Sequence, residues 1–295
     1  MFRSFAIAVS LLAVPVYADT VDIDTYRGPQ TVEKTPDTVA VFDMAALDSL
    51  DALGVEVDAT IANVYLDYLE DMAEGKPRLG SLFEPDFEAL NALQPDLIIA
   101  GGRSSEAVPD LARMAPTIDM TIWEDTIGQG LDRLEALGAI FDKEAEAVRL
   151  RADFEAKAET VRALGAQQGR TLILMTHGPI VSAYGKAGRF GWLHTAFDLQ
   201  EAVADVEQTT HGEAISFEFI REVDPDLILV IDRAAAIGEA AGARATMDNA
   251  LVAQTKAWQD DKVVFLDSGP IYIAAGGIQS LNATLDQLLA AFSGQ

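Results

Sequence analysis

Two arginines recur in matching surroundings. Residues 87–103 read FEALNALQPDLIIAGGR and residues 217–233 read FEFIREVDPDLILVIDR, and the two align without a gap at an offset of 130 residues. Phe87 matches Phe217, Glu88 matches Glu218, the run Pro95 to Ile98 matches Pro225 to Ile228, and Arg103 matches Arg233. In each copy an amphipathic segment runs up to Pro-Asp, which stops a helix and turns the chain. The apolar run that follows reads as a buried parallel strand. The arginine comes just past that strand's carboxyl end, the edge at which open α/β sheets bind ligands. A guanidinium keeps its charge and presents a planar fork of donors, so the chemistry Arg103 and Arg233 can do there is recognition of anionic oxygen.

The other reactive side chains are few. His177, His194 and His211 all lie in the second half, and there is no cysteine. Three histidines can make a zinc site, but His177 and His194 taken alone read as structural or solvated. His177 does close a strand-like run, LILMTH, which places it near the same sheet edge. No G-x-S-x-G, P-loop or H-E-x-x-H is present. Without cysteine, disulfides, thiolate metal sites, thiol nucleophiles and lipid attachment at a leader cleavage site are excluded.

The first residues read as an export leader. Arg3 supplies the charged start, Phe5 to Val14 an apolar run too short to span a bilayer, and Val16-Tyr17-Ala18 a small-x-small cleavage site. Cleavage is expected after Ala18, leaving an unlipidated protein soluble in the periplasm. The net charge is −26, and losing Arg3 with residues 1–18 makes it −27. Such a surface repels nucleic acid and anionic lipid. An anionic ligand therefore needs a local basic pocket.

The positioning elements follow from the repeat. Thr38 to Phe42 reads as a first strand, followed by a helical stretch from Met44 to Leu53. Thr171 to Met175 is the corresponding strand of the second half, Val263 to Leu266 a late strand, and Leu281 to Phe292 a closing helix. Lys143 to Leu164 contains no Pro or Gly and carries Ala147, Phe154, Ala158, Val161 and Leu164 at helical spacing, with Gly165 as its expected cap. The expected fold is α/β, two Rossmann-like lobes joined by a single long helix. The expected units are a leader at 1–18, a first lobe at 19–142, a bridging helix at 143–166 and a second lobe at 167–295.

Extended blocks then carry a resemblance: VFDMAALDSLDALG, LGSLFEPDFEALNALQPDLIIAGGR, GKAGRFGWLH, HGEAISFEFIREVDPDLILVIDR, and DNALVAQTKAWQDDKVVFLD followed by IYIAAGG. From about Val39 to Phe292 the chain resembles the iron–siderophore class of periplasmic binding proteins of ABC importers. It is most similar to the branch that binds catecholate siderophores, tetradentate bis-catecholates included. The resemblance implies a non-enzymatic, monomeric carrier that holds its ligand between two helix-bridged lobes. It has no cofactor of its own, and Fe(III) arrives as the siderophore complex. It implies that Arg103, Arg189 and Arg233 contact the siderophore and that His211 and Tyr272 bind iron. The run SGPIY around Tyr272 departs from the aromatic-rich run of that branch; without Tyr272 as a ligand, the siderophore would fill the iron shell itself. It further implies that Glu88 and Glu218, one per lobe, dock on the inner-membrane permease. A hydroxamate siderophore, haem, cobalamin or a free metal are the alternative ligands, and a periplasmic siderophore esterase the alternative activity. No histidine precedes His177, so a free-metal site could draw no histidine from the first lobe.

Overall fold

The computed structural model describes residues 19–204, 206 and 212–294. The expected leader, its cleavage site and His211 lie outside the described residues. The chain opens with a hairpin, β1 (Thr20–Thr25) and β2 (Gly28–Glu33). The first lobe then runs β3 (Val39–Val41), α1 (Met44–Ala52), β4 (Ala59–Thr60), α2 (Phe87–Leu93), β5 (Leu97–Ala100), β6 (Thr117–Asp119) and α3 (Thr126–Ile140). Its four strands lie in the order β4-β3-β5-β6 and are all parallel.

A long helix, α4 (Glu144–Gly165), leads to the second lobe. There β7 (Arg170–His177), β8 (Ile180–Tyr184), β9 (Gln200–Glu201), β10 (Glu213–Ile215), β11 (Leu227–Asp232) and β12 (Val263–Leu266) form one sheet. Its order is β10-β8-β7-β11-β12, with β9 also on β7. The strands β7, β11 and β12 are parallel, while β8 and β10 add an antiparallel edge. Helices α5 (Phe217–Val223), α6 (Arg233–Ala236), α7 (Ser268–Tyr272) and α8 (Ile278–Ser293) complete the elements used below. The strands β5 and β11 are buried along their whole length, which accounts for their unbroken apolar sequence.

The internal repeat extends to backbone detail. Asp86 caps α2 by accepting from the Glu88 and Ala89 amides, and Ser216 caps α5 by accepting from the Phe219 amide. Both helices end on a left-handed residue, Gln94 at φ 52° and Asp224 at φ 45°. The carboxylate of each Pro-Asp pair then fixes the start of the neighbouring strand. Asp96 accepts from the Thr38 amide at 2.9 Å and Asp226 from the Arg170 amide at 2.8 Å. This explains why Asp, rather than another turn residue, follows proline in both copies.

The helix α4 buries Ala147, Phe154 and Val161, one residue per two turns. Gly165 is its last residue rather than its cap. A side chain there would run into the Phe197 carbonyl oxygen, so glycine permits close approach of α4 to the second lobe. Arg162 adds a bond from Nε to the Ala196 carbonyl, 2.8 Å.

The closing helix α8 packs along α4 and α1, and so returns to the first lobe. A buried carboxylate holds it there. Asp48 of α1 accepts from the Gln279 amide (2.8 Å), the Ser280 amide (3.0 Å) and hydroxyl (3.0 Å), and the Tyr68 hydroxyl (2.6 Å). The lobes are thus tied twice, through α4 and through the crossover 273–277 that leads into α8.

Candidate ligand-binding site

The strand β5 runs into Gly101-Gly102, a turn that calls for glycine. A methyl group on Gly101 would lie 2.9 Å from the Thr121 amide nitrogen, and Gly102 has φ 52°. The Gly102 amide donates to Thr121 Oγ1 at 2.8 Å, which fastens the end of β5 to the end of β6. The next residue is Arg103. Its Nη2 donates to the Tyr272 carbonyl at 2.9 Å and its Nη1 to the Ile273 carbonyl at 3.3 Å, across the boundary between lobes.

In the second lobe β11 ends at Asp232, whose carboxylate is saturated. One oxygen accepts from the Ala234 and Ala235 amides, the other from Gly242 and Ala243. This fixes the first turn of α6 and with it Arg233. From there Nε donates to the Tyr272 hydroxyl at 3.3 Å and Nη1 to His177 Nε2 at 3.0 Å. Arg189 comes from the loop after β8. Its Nη2 donates to the Tyr272 carbonyl at 2.7 Å, and its guanidinium lies over the Tyr272 ring, 4.0 Å from the centroid. Phe190 beside it packs edge-on against Tyr184 at 4.8 Å.

Three guanidiniums, one from the first lobe and two from the second, thus meet on one tyrosine.

 In sequence, Arg103 and Arg189 are separated by 86 positions and Arg189 and Arg233 by 44, so the fold alone assembles the cluster. Burial raises the Tyr272 phenol pKa, but the Arg233 hydrogen bond and the charges of Arg189, Arg233 and Arg103 outweigh it and bring the phenol below its ordinary value. Burial, and then the neighbouring Arg103 charge, lower the Arg189 pKa. The cluster is a concentrated positive field on an acidic protein, organised around a phenol that ionises more readily than usual.

The model of the periplasmic binding protein family matches residues 39–270. The chain belongs to that family. Among its relatives, the petrobactin-binding protein YclQ of Bacillus subtilis is 32% identical over 262 residues, 87% of this chain and 83% of that protein. The ferric-anguibactin-binding protein FatB of Vibrio anguillarum is 29% identical over 283 residues, 92% of this chain and 87% of that protein. The crystal structure of YclQ superposes with a TM-score of 0.87 over 94% of this chain and 100% of that one, at 29% identity. The catecholate-siderophore binding protein VctP of Vibrio cholerae gives a TM-score of 0.86 over 94% and 100%, at 30% identity.

In this periplasmic binding protein Arg103, Arg189, Arg233 and Tyr272 come together, and His177 joins them. Taken alone, His177 reads in sequence as structural or solvated, but its strand-end position places it near the same sheet edge. A guanidinium only donates, so His177 Nε2 must be the accepting nitrogen. The strand end is that of β7, which lies directly beside β11. His194 is buried, with Nδ1 3.0 Å from the Leu199 carbonyl, and burial lowers its pKa; it is a packing residue. Asp43, which caps α1 and lies against Gly102, escaped notice altogether. Burial pushes its carboxyl up to about 6, against the Ala46 amide and the Arg103 charge. Glu88 and Glu218 stand exposed in the first turns of the equivalent helices α2 and α5. A separate groove of about 260 Å³, lined by Ile127, Leu131, Phe154 and Phe197 among others, shares no lining residue with the arginine cluster.

Proposed function

We propose that this periplasmic binding protein captures an Fe(III)–catecholate siderophore between its lobes and delivers it to an ABC importer. The observation that carries the reading is the convergence of Arg103, Arg189 and Arg233 from both lobes on Tyr272. A ferric catecholate is anionic and oxygen-rimmed, and planar guanidinium forks suit that rim. The relatives named for petrobactin, ferric anguibactin and catecholate siderophores support the ligand class. On this reading Arg103, Arg189 and Arg233 exchange Tyr272 for the ligand's oxygens. A tetradentate siderophore leaves two positions of an octahedral iron free, and Tyr272 and His211 fill them. Phenolate is a hard donor for Fe(III), and the lowered Tyr272 pKa favours its formation. Coordination still releases a proton, so affinity falls as pH drops.

The protein acts as a carrier without turnover, as a monomer in the periplasm, unlipidated and cleaved after Ala18, with a first lobe at 19–142, a connector at 143–166 and a second lobe from 167, whose expected end at 295 includes the helix α8 that packs back on the first lobe. Among the described residues no helix is long and apolar enough to cross a membrane. Titrating the mature protein with a ferric bis-catecholate, followed by tryptophan quenching, tests the reading. Saturable quenching at or below micromolar ligand is expected, with the ligand recovered intact. No quenching at that concentration rejects the catecholate, and a cleaved ligand would make the protein an esterase.

Glu88 and Glu218 are the proposed docking pair for the permease, equivalent by the internal repeat and exposed. Replacing both with alanine is expected to leave ligand affinity and thermal midpoint unchanged while cutting siderophore uptake in cells at least about tenfold, since each lost charge-assisted contact is worth roughly 1.5–3 kcal/mol. Uptake equal to wild type would remove them from the docking surface.

A further inference from the structure

We propose that Trp123 is an aromatic wall of the cleft, against which a planar ring of the bound ligand stacks. The proposal rests on the catecholate reading and names a contact residue beyond the arginine cluster. Trp123 follows the carboxyl end of β6, in the edge that also carries Arg103. The two residues before it touch the segments that carry Arg103 and Tyr272. Thr121 Oγ1 accepts from the Gly102 amide at 2.8 Å, immediately before Arg103. The Ile122 side chain closes over Gly276, four residues after Tyr272, leaving no room there for a Cβ. Trp123 is therefore held at the rim where the Arg103 turn and the Tyr272 crossover meet.

Its side chain is nevertheless 66% exposed. The other tryptophans are packed, Trp192 edge-on against Phe197 at 5.9 Å and Trp258 against the second-lobe core. The Trp123 loop is also fastened. The Trp123 and Glu124 amides both donate to Gln129 Oε1, at 2.8 and 3.2 Å, and Asp125 caps α3 through the Gly128 amide at 3.0 Å. A bulky indole presented to solvent from a fixed backbone is preorganised to bury its face on an incoming apolar plane, and little ordering entropy opposes that contact. Of the groups in a ferric catecholate, the catechol ring supplies such a plane, while its oxygens go to the arginines.

Single variants at position 123, titrated with a ferric bis-catecholamide, test this. Trp123→Leu and Trp123→Ala are expected to weaken binding about tenfold, whereas Trp123→Phe stays within roughly threefold of wild type, because a ring and not apolar bulk is required. All three should keep the wild-type thermal midpoint. Binding of Trp123→Ala equal to wild type, or Trp123→Leu equal to Trp123→Phe, would overturn the stacking role. Failure of the wild type itself to bind the ferric bis-catecholamide would instead reject the catecholate reading and this contact with it.

Discussion

Arg189→Ala is expected to lower affinity for a ferric bis-catecholate by about 100-fold, with the thermal midpoint unchanged or raised. The two outcomes come from one arrangement. Arg189 has the tightest cluster hydrogen bond to Tyr272 and the closest approach to its ring. Turned to a catecholate, it would supply charge-assisted hydrogen bonds in a partly desolvated site, each worth roughly 1.5–3 kcal/mol. Two such bonds convert to about 100-fold or more in Kd. Stability moves the other way, because burial, and after it the Arg103 charge, lower the Arg189 pKa. Removing the charge relieves that repulsion and strands only a carbonyl that Arg103 still serves. Arg189→Lys keeps the charge but loses the planar fork, and should recover only part of the affinity. Arg189→Ala should also raise the Tyr272 phenol pKa, read by ultraviolet titration, since the Arg189 charge is among those that lower it. Wild-type affinity in Arg189→Ala would remove Arg189 from the site.

Asp48→Ala is expected to destabilise the protein by about 3–5 kcal/mol, measured by denaturant unfolding. The carboxylate is fully buried and accepts from four donors, two of them amides in the first turn of α8. Burial pushes its pKa up to about 6, against the bonds from Tyr68, Gln279 and Ser280, so it is mainly ionised at neutral pH. Alanine leaves the Gln279 and Ser280 amides without their acceptor, while the Tyr68 and Ser280 hydroxyls keep only each other, and it leaves the positive end of α8 without its counter-charge. Because α8 follows the crossover behind Tyr272, Asp48→Ala should weaken ligand binding as well. A loss below about 1 kcal/mol would show that α8 docks by apolar packing alone.

Legibility in the sequence followed the range of the interactions. The strands β5 and β11, the Pro-Asp turns and the arginines after them are local patterns, repeated in two copies, and were readable as such. The site's remaining members depend on contacts between distant segments. Arg189 and Tyr272 entered through family resemblance, since nothing in their own neighbourhoods announces that they meet. His177 carried a local signal, a strand end, but its partner Arg233 stands 56 residues away. The Asp48 tie to α8 spans more than 200 residues and looks, in sequence, like an ordinary acid on a helix. Gly165 was misread because a glycine at a helix end serves capping and close packing equally well, and only the position of Phe197 distinguishes them.

The most direct measurement is a crystal structure of the mature protein with a ferric tetradentate catecholate. The account predicts the ligand between the lobes, with Arg103, Arg189 and Arg233 turned from the Tyr272 carbonyl and hydroxyl onto catecholate oxygens and the Tyr272 oxygen bound to iron. A ligand seated elsewhere, for instance in the groove between α3 and α4, with the three arginines still on Tyr272, would contradict it.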